Sequence, residues 1–344
     1  MELEPRTENG PLLSVIVPAY NEETVLPLFY DRIAAVLRGI GIASELIFVN
    51  DGSSDRTAEC VVDIMKRDAS VELIDLSRNF GKESAMAAGL DHAAGDIVVL
   101  IDADLQDPPE LIPALIDEWR KGYDCVYAKR TSRSGESALK KATAYSFYRV
   151  LRRLSNVDIP EDTGDFRLLS RRAVEALKTL RETQRFSKGL FAWIGYPQKA
   201  IPYERDSRSA GTTKWNYLRL WNLAVEGITS FSVVPLKFAT LMGWICSAFA
   251  FAYMFFVLAK AVLFGDPVQG YPSLMVVILF LGGIQLLCLG ILGEYLGRVF
   301  SETKRRPLYF VHRHLSGRSF MRDGESAAGR ANGREAYKIE HEVK

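Results

Sequence analysis

The chain has 344 residues, with 43 lysines and arginines against 42 aspartates and glutamates, and 48% of it is hydrophobic. A net charge of +1 gives no bulk attraction for nucleic acid or a polyacidic partner, and no clustered basic face stands out in the first half. Cys60, Cys125, Cys246 and Cys288 lack metal-ligand spacing and read as reduced and unpaired, so no zinc site or disulfide framework is expected.

The opening segment, MELEPRTENG, is acidic and polar and does not read as a secretory signal, so the first domain is expected in the cytosol. Short apolar runs then alternate with helical patterns. Residues 14–18, 45–49, 71–76 and 97–101 read as buried strands, with helical spacing over 23–38, 55–67 and 82–93. Near-continuous apolar strands separated by helices predict an α/β fold with a largely parallel sheet and right-handed crossovers. Asp107, Pro108 and Glu110 read as an acidic N-cap, a proline at the first helical position and an acidic first turn, for a helix running to about Lys121. A fifth strand over 124–128 and a long basic helix over 136–153 follow.

Farther on, the character changes. Residues 238–258 carry no charge, and residues 273–293 form a second uncharged apolar span. Each is long enough to cross a bilayer. The outer flanks are basic and the short connection is not, so the positive-inside rule puts both flanks in the cytoplasm and the connection outside. The competing reading is a helical hairpin buried in a soluble protein. Residues 213–231, with Trp215, Tyr217 and Trp221, read as a helix lying in the membrane interface, or else as an amphipathic helix packed on the soluble domain. The expected organisation is a catalytic domain over 1–212, an interfacial region over 213–235, membrane helices over 236–264 and 273–297 with an external loop at 265–272, and a basic tail over 298–344. The tail is expected to be disordered beyond Ser316.

The chemistry concentrates in D-A-D-L-Q-D-P. A strand ends at Asp102-Ala103-Asp104, and carboxylates at i and i+2 point the same way from an extended backbone. At the carboxyl edge of an open α/β sheet this is where ligands bind. Two convergent carboxylates call for a cation, and Mg²⁺ or Mn²⁺ beside a diphosphate suits hard oxygen ligands. Gln106 adds a further carbonyl oxygen. The loops after the first two strands, V-P-A-Y-N-E-E (17–23) and V-N-D-G-S-S-D (49–55), open into the same crevice. There Asp51 can accept hydrogen bonds from a base or ribose and Tyr20 can lie against the base. Ser53 reads either as a ligand contact or as turn chemistry. No Ser/His/Asp arrangement is evident, and the four histidines are His92, His312, His314 and His341.

Together these segments resemble the family 2 glycosyltransferases with the GT-A nucleotide-diphospho-sugar fold. The resemblance is strongest to their polyprenyl-phosphate branch, which includes the bactoprenol glucosyltransferases of O-antigen modification and dolichyl-phosphate mannose synthase. It runs from Leu13 to about His314 and also rests on SRNFGKE (77–83), AKRTSR (128–133), GDFRLLSR (164–171), GLFAWIGY (189–196), RSAGTTKWN (208–216), GYPSL (270–274), LFLGGIQ (279–285) and LGEYLGR (292–298).

The resemblance implies roles. Pro18, Tyr20, Glu22, Asp51, Ser53, Lys82 and Asp102 would bind the nucleotide sugar. Asp104 and Gln106 would hold Mg²⁺ or Mn²⁺, with Asp104 and Asp165 at the reacting centre. Arg208 and Lys214 would close over the diphosphate. Arg130, Lys140 and Lys141 would bind the lipid phosphate, although the arginine and lysine sets also read as a basic face toward anionic lipid. The implied reaction is inverting transfer from UDP-glucose, or from another nucleotide sugar, to undecaprenyl phosphate. The implied setting is the bacterial inner membrane, with both termini cytoplasmic and the chain assembled as a tetramer. Two rivals stand beside it. A processive polysaccharide synthase would carry Q-x-x-R-W, which Gln184-Arg185-Phe186 does not match, and a catalytically silent scaffold would not need D-A-D-L-Q.

Overall fold

The computed structural model describes residues 10–131, 163–183, 185–204, 234–264 and 270–319. One eight-stranded sheet organises the first domain. Its strands are β1 (Leu13–Ala19), β2 (Ser44–Asn50), β3 (Val71–Leu76), β4 (Ile97–Leu100), β5 (Cys125–Arg130), β6 (Thr163–Ser170), β7 (Gln198–Tyr203) and β8 (Val311–Ser316). They lie in the order β7-β5-β6-β4-β1-β2-β3-β8.

The expected parallel half is present: β1 pairs in parallel with both β2 and β4, and β2 with β3. The other half is mixed. β6 runs antiparallel to β4 and β5, β7 runs parallel to β5, and β8 runs antiparallel to β3. Helices α1 (Leu26–Ile40), α2 (Thr57–Met65) and α4 (Ile112–Arg120) cover one face, and α3 (Lys82–His92), α5 (Arg171–Thr179) and α6 (Ser187–Trp193) cover the other. Phe29, Phe48, Ile33 and Leu115 pack in the first layer, and Ile16, Met86, Leu177 and Phe191 in the second. Strands buried on both faces explain the continuous apolar runs.

Three expectations change. Asp107 does not cap the helix: its buried carboxylate accepts a hydrogen bond from the Tyr203 hydroxyl on β7. A short 3₁₀ turn, Pro109–Leu111, therefore leads into α4, with Pro108 before it. The fifth strand runs on to Arg130, because parallel pairing with β7 extends to Tyr203. The segment expected as basic tail contains β8. A parallel sheet ending at β3 leaves that edge's N–H and C=O groups open, and residues 311–316 cover them. The basic helix over 136–153, the interfacial region up to residue 233 and the tail beyond Ser319 lie outside the described residues.

Helices α7 (Val234–Phe264) and α8 (Tyr271–Thr303) follow, 31 and 33 residues long. At about 1.5 Å per residue each exceeds the roughly 30 Å of a hydrocarbon core. Both are long and apolar enough to cross a membrane, and Trp244, Leu263, Leu286 and Leu296 are largely exposed along them. α8 continues beyond the expected residue 297, supported by the Glu294–Arg298 pair one turn apart.

Candidate functional site

The strand order reverses between β4 and β1, which places a crevice at their carboxyl ends. An open cleft of about 680 Å³ lies there, lined by Pro18, Tyr20 and Glu22 after β1, Asp51 after β2, Asn79, Gly81 and Lys82 before and within α3, and Asp102 and Asp104 after β4. The nucleotide-sugar residues that the resemblance implies thus line one cleft, with one exception. Tyr20, 47% exposed, presents its ring at the mouth.

Ser53 is that exception and takes the turn reading. Its hydroxyl donates to Asn50 Oδ1 at 2.5 Å and accepts from the Asn21 backbone N–H at 2.9 Å, tying the first two loops together. Asn21, at φ +56°, returns the tie by accepting from the Ser54 N–H at 2.9 Å.

Asp51 sits under the loop that leads into α3. Its two carboxylate oxygens accept from the Phe80 and Gly81 backbone N–H groups at 2.7 and 2.9 Å. Burial pushes its carboxyl up from the usual range, and these hydrogen bonds pull against it. Gly52 beside it has φ +63°, and a Cβ there would come within 2.3 Å of the Arg78 carbonyl carbon, so only glycine lets the loop close this tightly.

The chemical centre is Lys82. Its ammonium lies 2.6 Å from Asp102 Oδ1 and 2.8 Å from Oδ2, and it also bonds Asp165 Oδ2 from β6. Burial opposes its charge, but the two carboxylates overcome that and raise its pKa. Burial raises Asp102. Against the same penalty, Lys82, with Lys188 beyond it, holds the Asp165 carboxyl at about 2. Asp165 Oδ1 is buried and has no hydrogen-bond partner among the described residues.

Three residues around Asp165 were not assigned a role from local pattern. Arg167 is buried, stacks 3.7 Å over the Phe191 ring and donates to the Gly164 carbonyl, fixing the strand that carries Asp165. Glu83 accepts from the Ser187 N–H and hydroxyl, which joins the start of α3 to the start of α6. Lys188 on α6 is thereby brought near Asp165, Arg167, Lys82 and Arg130, and burial lowers its pKa. The only local signals were a lysine before Glu83 and a lysine before GLFAWIGY.

At the metal loop, Leu105 has φ +60°, a conformation uncommon outside glycine. It turns the chain so that the Gln106 N–H donates to Asp104 Oδ1 at 3.2 Å. The Gln106 side chain is buried and does not line the cleft. Among the described residues no group of three His, Cys, Asp or Glu side chains gathers as a metal cage. Few protein ligands fit Mg²⁺ or Mn²⁺, which take one or two carboxylates and complete their shell with substrate phosphates and water. Asp104 on the cleft wall meets that requirement.

Arg130 lies outside the cleft but against it. Its Nε approaches the Tyr203 hydroxyl at 3.4 Å, and a Cβ added to Gly164 would stand 3.4 Å from its guanidinium. Lys140, Lys141, Arg208 and Lys214 lie outside the described residues.

The sequence is similar to those of known proteins. Residues 14–178 match the Glycosyl transferase family 2 model, and residues 234–299 match the GtrB C-terminal hairpin. An uncharacterized glycosyltransferase of Synechocystis is 52% identical over 299 residues, 87% of this chain and 94% of its own. The bactoprenol glucosyl transferase of Shigella phage SfX is 46% identical over 299 residues, 87% of this chain and 98% of its own. A crystal structure of glucosyl-3-phosphoglycerate synthase from Mycobacterium tuberculosis with Mn²⁺ and UDP-glucose overlaps 64% of this chain and 77% of its own, at a TM-score of 0.44 and 23% identity. The chain belongs to the family 2 glycosyltransferases and carries their GtrB-type C-terminal hairpin.

Proposed function

We propose that this enzyme transfers glucose from UDP-glucose to undecaprenyl phosphate, with inversion, on the cytoplasmic leaflet of a bacterial cell membrane. The observation that carries the reading is the Lys82 bridge between Asp102 and Asp165 in the same cleft as Asp104. The glucosyl donor and lipid acceptor are supported by the bactoprenol glucosyl transferase relatives.

Pro18, Tyr20, Glu22 and Asp51 shape the donor subsite, with Tyr20 free to lie along the base. Asp104 is the proposed ligand to Mg²⁺ or Mn²⁺, which when bound supplies positive charge to the departing diphosphate. The acceptor phosphate is ionised at neutral pH and needs no strong base. Asp165, held at about 2, is a weak proton acceptor and instead orients Lys82 through Oδ2. One oxygen of the acceptor attacks the anomeric carbon as the bond to the nucleoside diphosphate breaks. Arg130 and Lys188 offset the repulsion between the two anions. Arg208 and Lys214 are proposed to close over the diphosphate, and Lys140 and Lys141 to join Arg130 at the lipid phosphate.

The course of the chain supports the membrane placement. β8, after the hairpin, pairs with β3, before it, so both ends of the hairpin lie on one side. Glycines on α8 support assembly through the helices: a Cβ at Gly282, Gly283, Gly290 or Gly293 would meet nothing within 4 Å, which leaves room for another helix. A tetramer is expected from native mass spectrometry in lipid nanodiscs.

The test is transfer from radiolabelled nucleotide sugars to undecaprenyl phosphate with Mn²⁺ or Mg²⁺, comparing wild type with Asp104→Ala. Lipid label from UDP-glucose alone, lost in the variant, supports donor, acceptor and metal carboxylate together. Label from a different donor keeps the reaction and replaces the sugar. No lipid label from any donor, despite nucleotide binding, overturns the acceptor.

A further inference from the structure

A second cleft, of about 860 Å³, opens between the β3–α3 loop and the segment that leaves α8. Arg78, Phe80 and Ser84 form one wall, and Arg306, Leu308 and Phe310 the other. We propose that it binds the phosphate-bearing headgroup of an anionic membrane lipid. The proposal rests on the reading of α7 and α8 as a membrane hairpin.

Location comes first. The apolar window of α8 ends at Thr303, and Arg306 follows just beyond it, at the depth where lipid phosphates lie if α8 spans. Charge comes next. Among the described residues no acidic side chain lines the cleft. Arg78 stacks 4.0 Å over the Phe80 ring and donates to its neighbour's carbonyl, and no ion pair within 4 Å joins Arg78 or Arg306 to a carboxylate among the described residues; Asp51, which feels the Arg78 charge, is held by the Phe80 and Gly81 N–H groups. The acids nearby are engaged elsewhere. Glu302 accepts from the Thr183 N–H at 2.8 Å, and Asp91 accepts from Arg181 at 2.7 and 2.9 Å and from the Tyr309 hydroxyl at 2.7 Å. Two arginines converging without acids match a phosphodiester.

The same contacts make the cleft preformed. Tyr309–Asp91, Thr183–Glu302 and the Ser77 N–H to Phe310 carbonyl bond at 2.9 Å pin both walls. Phe80 and Phe310 stand 6.2 Å apart across the cleft, and with Leu308 they give it an apolar lining beside the arginines, the floor for an apolar ligand part. A soluble anion has no use for that floor, whereas the glycerol and first methylenes of a lipid bury against it. The loop is shared with the donor cleft: Arg78 and Phe80 line this site, while Asn79 and Gly81 line the other.

The test counts lipids retained by the full chain on release from nanodiscs of phosphatidylglycerol in phosphatidylcholine, using native mass spectrometry. The paired variant Arg78→Gln with Arg306→Gln is compared with a charge-matched control, Lys304→Gln with Arg305→Gln. The expected result is phosphatidylglycerol retained by wild type and control, affinity about tenfold or more weaker in the site variant, and no competition by inorganic phosphate. Equal loss in both pairs would mean a diffuse basic flank and overturn the proposal, as would retention in both. Competition by inorganic phosphate would assign the cleft to a soluble anion and also overturn it. Failure of the chain to enter nanodiscs at all would instead sink the membrane reading on which the proposal rests.

Discussion

The Lys82 ammonium touches both carboxylate oxygens of Asp102, at 2.6 and 2.8 Å, so the first acid of D-A-D is neutralised by a residue of the preceding helix. The second acid, Asp104, lines the same cleft, and its Oδ1 accepts from the Gln106 N–H at 3.2 Å.

Replacing Lys82 with Met leaves Asp102 and Asp165 facing each other without a cation. Transfer is expected to slow by about 10²-fold or more, the scale for losing one preorganised charge donor. Lys82→Arg should recover part of the rate. Single-turnover transfer with the donor saturating reads this directly, and wild-type speed in Lys82→Met would remove Lys82 from the chemistry.

Chelation should abolish transfer, and Mn²⁺ or Mg²⁺ should restore it. In Asp104→Ala, calorimetric UDP binding is expected to lose its metal dependence while the melting temperature stays near wild type, because Asp104 lines the cleft rather than the core. Metal-dependent UDP binding that survives in Asp104→Ala would assign the ligand role to another residue.

Gly52→Ala forces a side chain into backbone 2.3 Å away at φ +63°. The loop above Asp51 must shift, at a cost of about 1–3 kcal/mol. A lower melting temperature together with a raised donor KM is expected, because Asn79 and Gly81 of that loop line the donor cleft. An unchanged KM would separate the loop from donor binding.

Lys188→Ala removes a cation near Asp165 and Arg130. The acceptor side should suffer: the KM for undecaprenyl phosphate is expected to rise about tenfold, with UDP affinity within about twofold. Steady-state kinetics with each substrate varied separates the two effects. A loss confined to UDP affinity would place Lys188 on the donor side.

Deleting residues 311–344 uncovers the β3 edge and removes the Arg313–Asp75 pair at 2.7 Å. Lower thermal stability and a tendency to associate are expected, read by calorimetry and light scattering. A truncated chain as stable and monodisperse as the full one would make β8 dispensable.

Much was legible along the chain. The four parallel strands, the loops that carry Tyr20, Asp51 and Asp102, and the two apolar helices follow from local hydrophobic runs, turn residues and the absence of charge, because strands buried on both faces and bilayer-length helices impose those patterns on consecutive residues. The tertiary structure alone decided the rest. Lys82 meets Asp165, and Glu83 meets Ser187, across more than 80 residues of chain. Asp107 bonds Tyr203 rather than capping its own helix, and β8 finds β3 after the whole hairpin has intervened. Local pattern says that a residue is charged or that a strand edge is open. Which partner satisfies it depends on which groups the folded sheet leaves buried and unpaired, and burial makes that pairing obligatory.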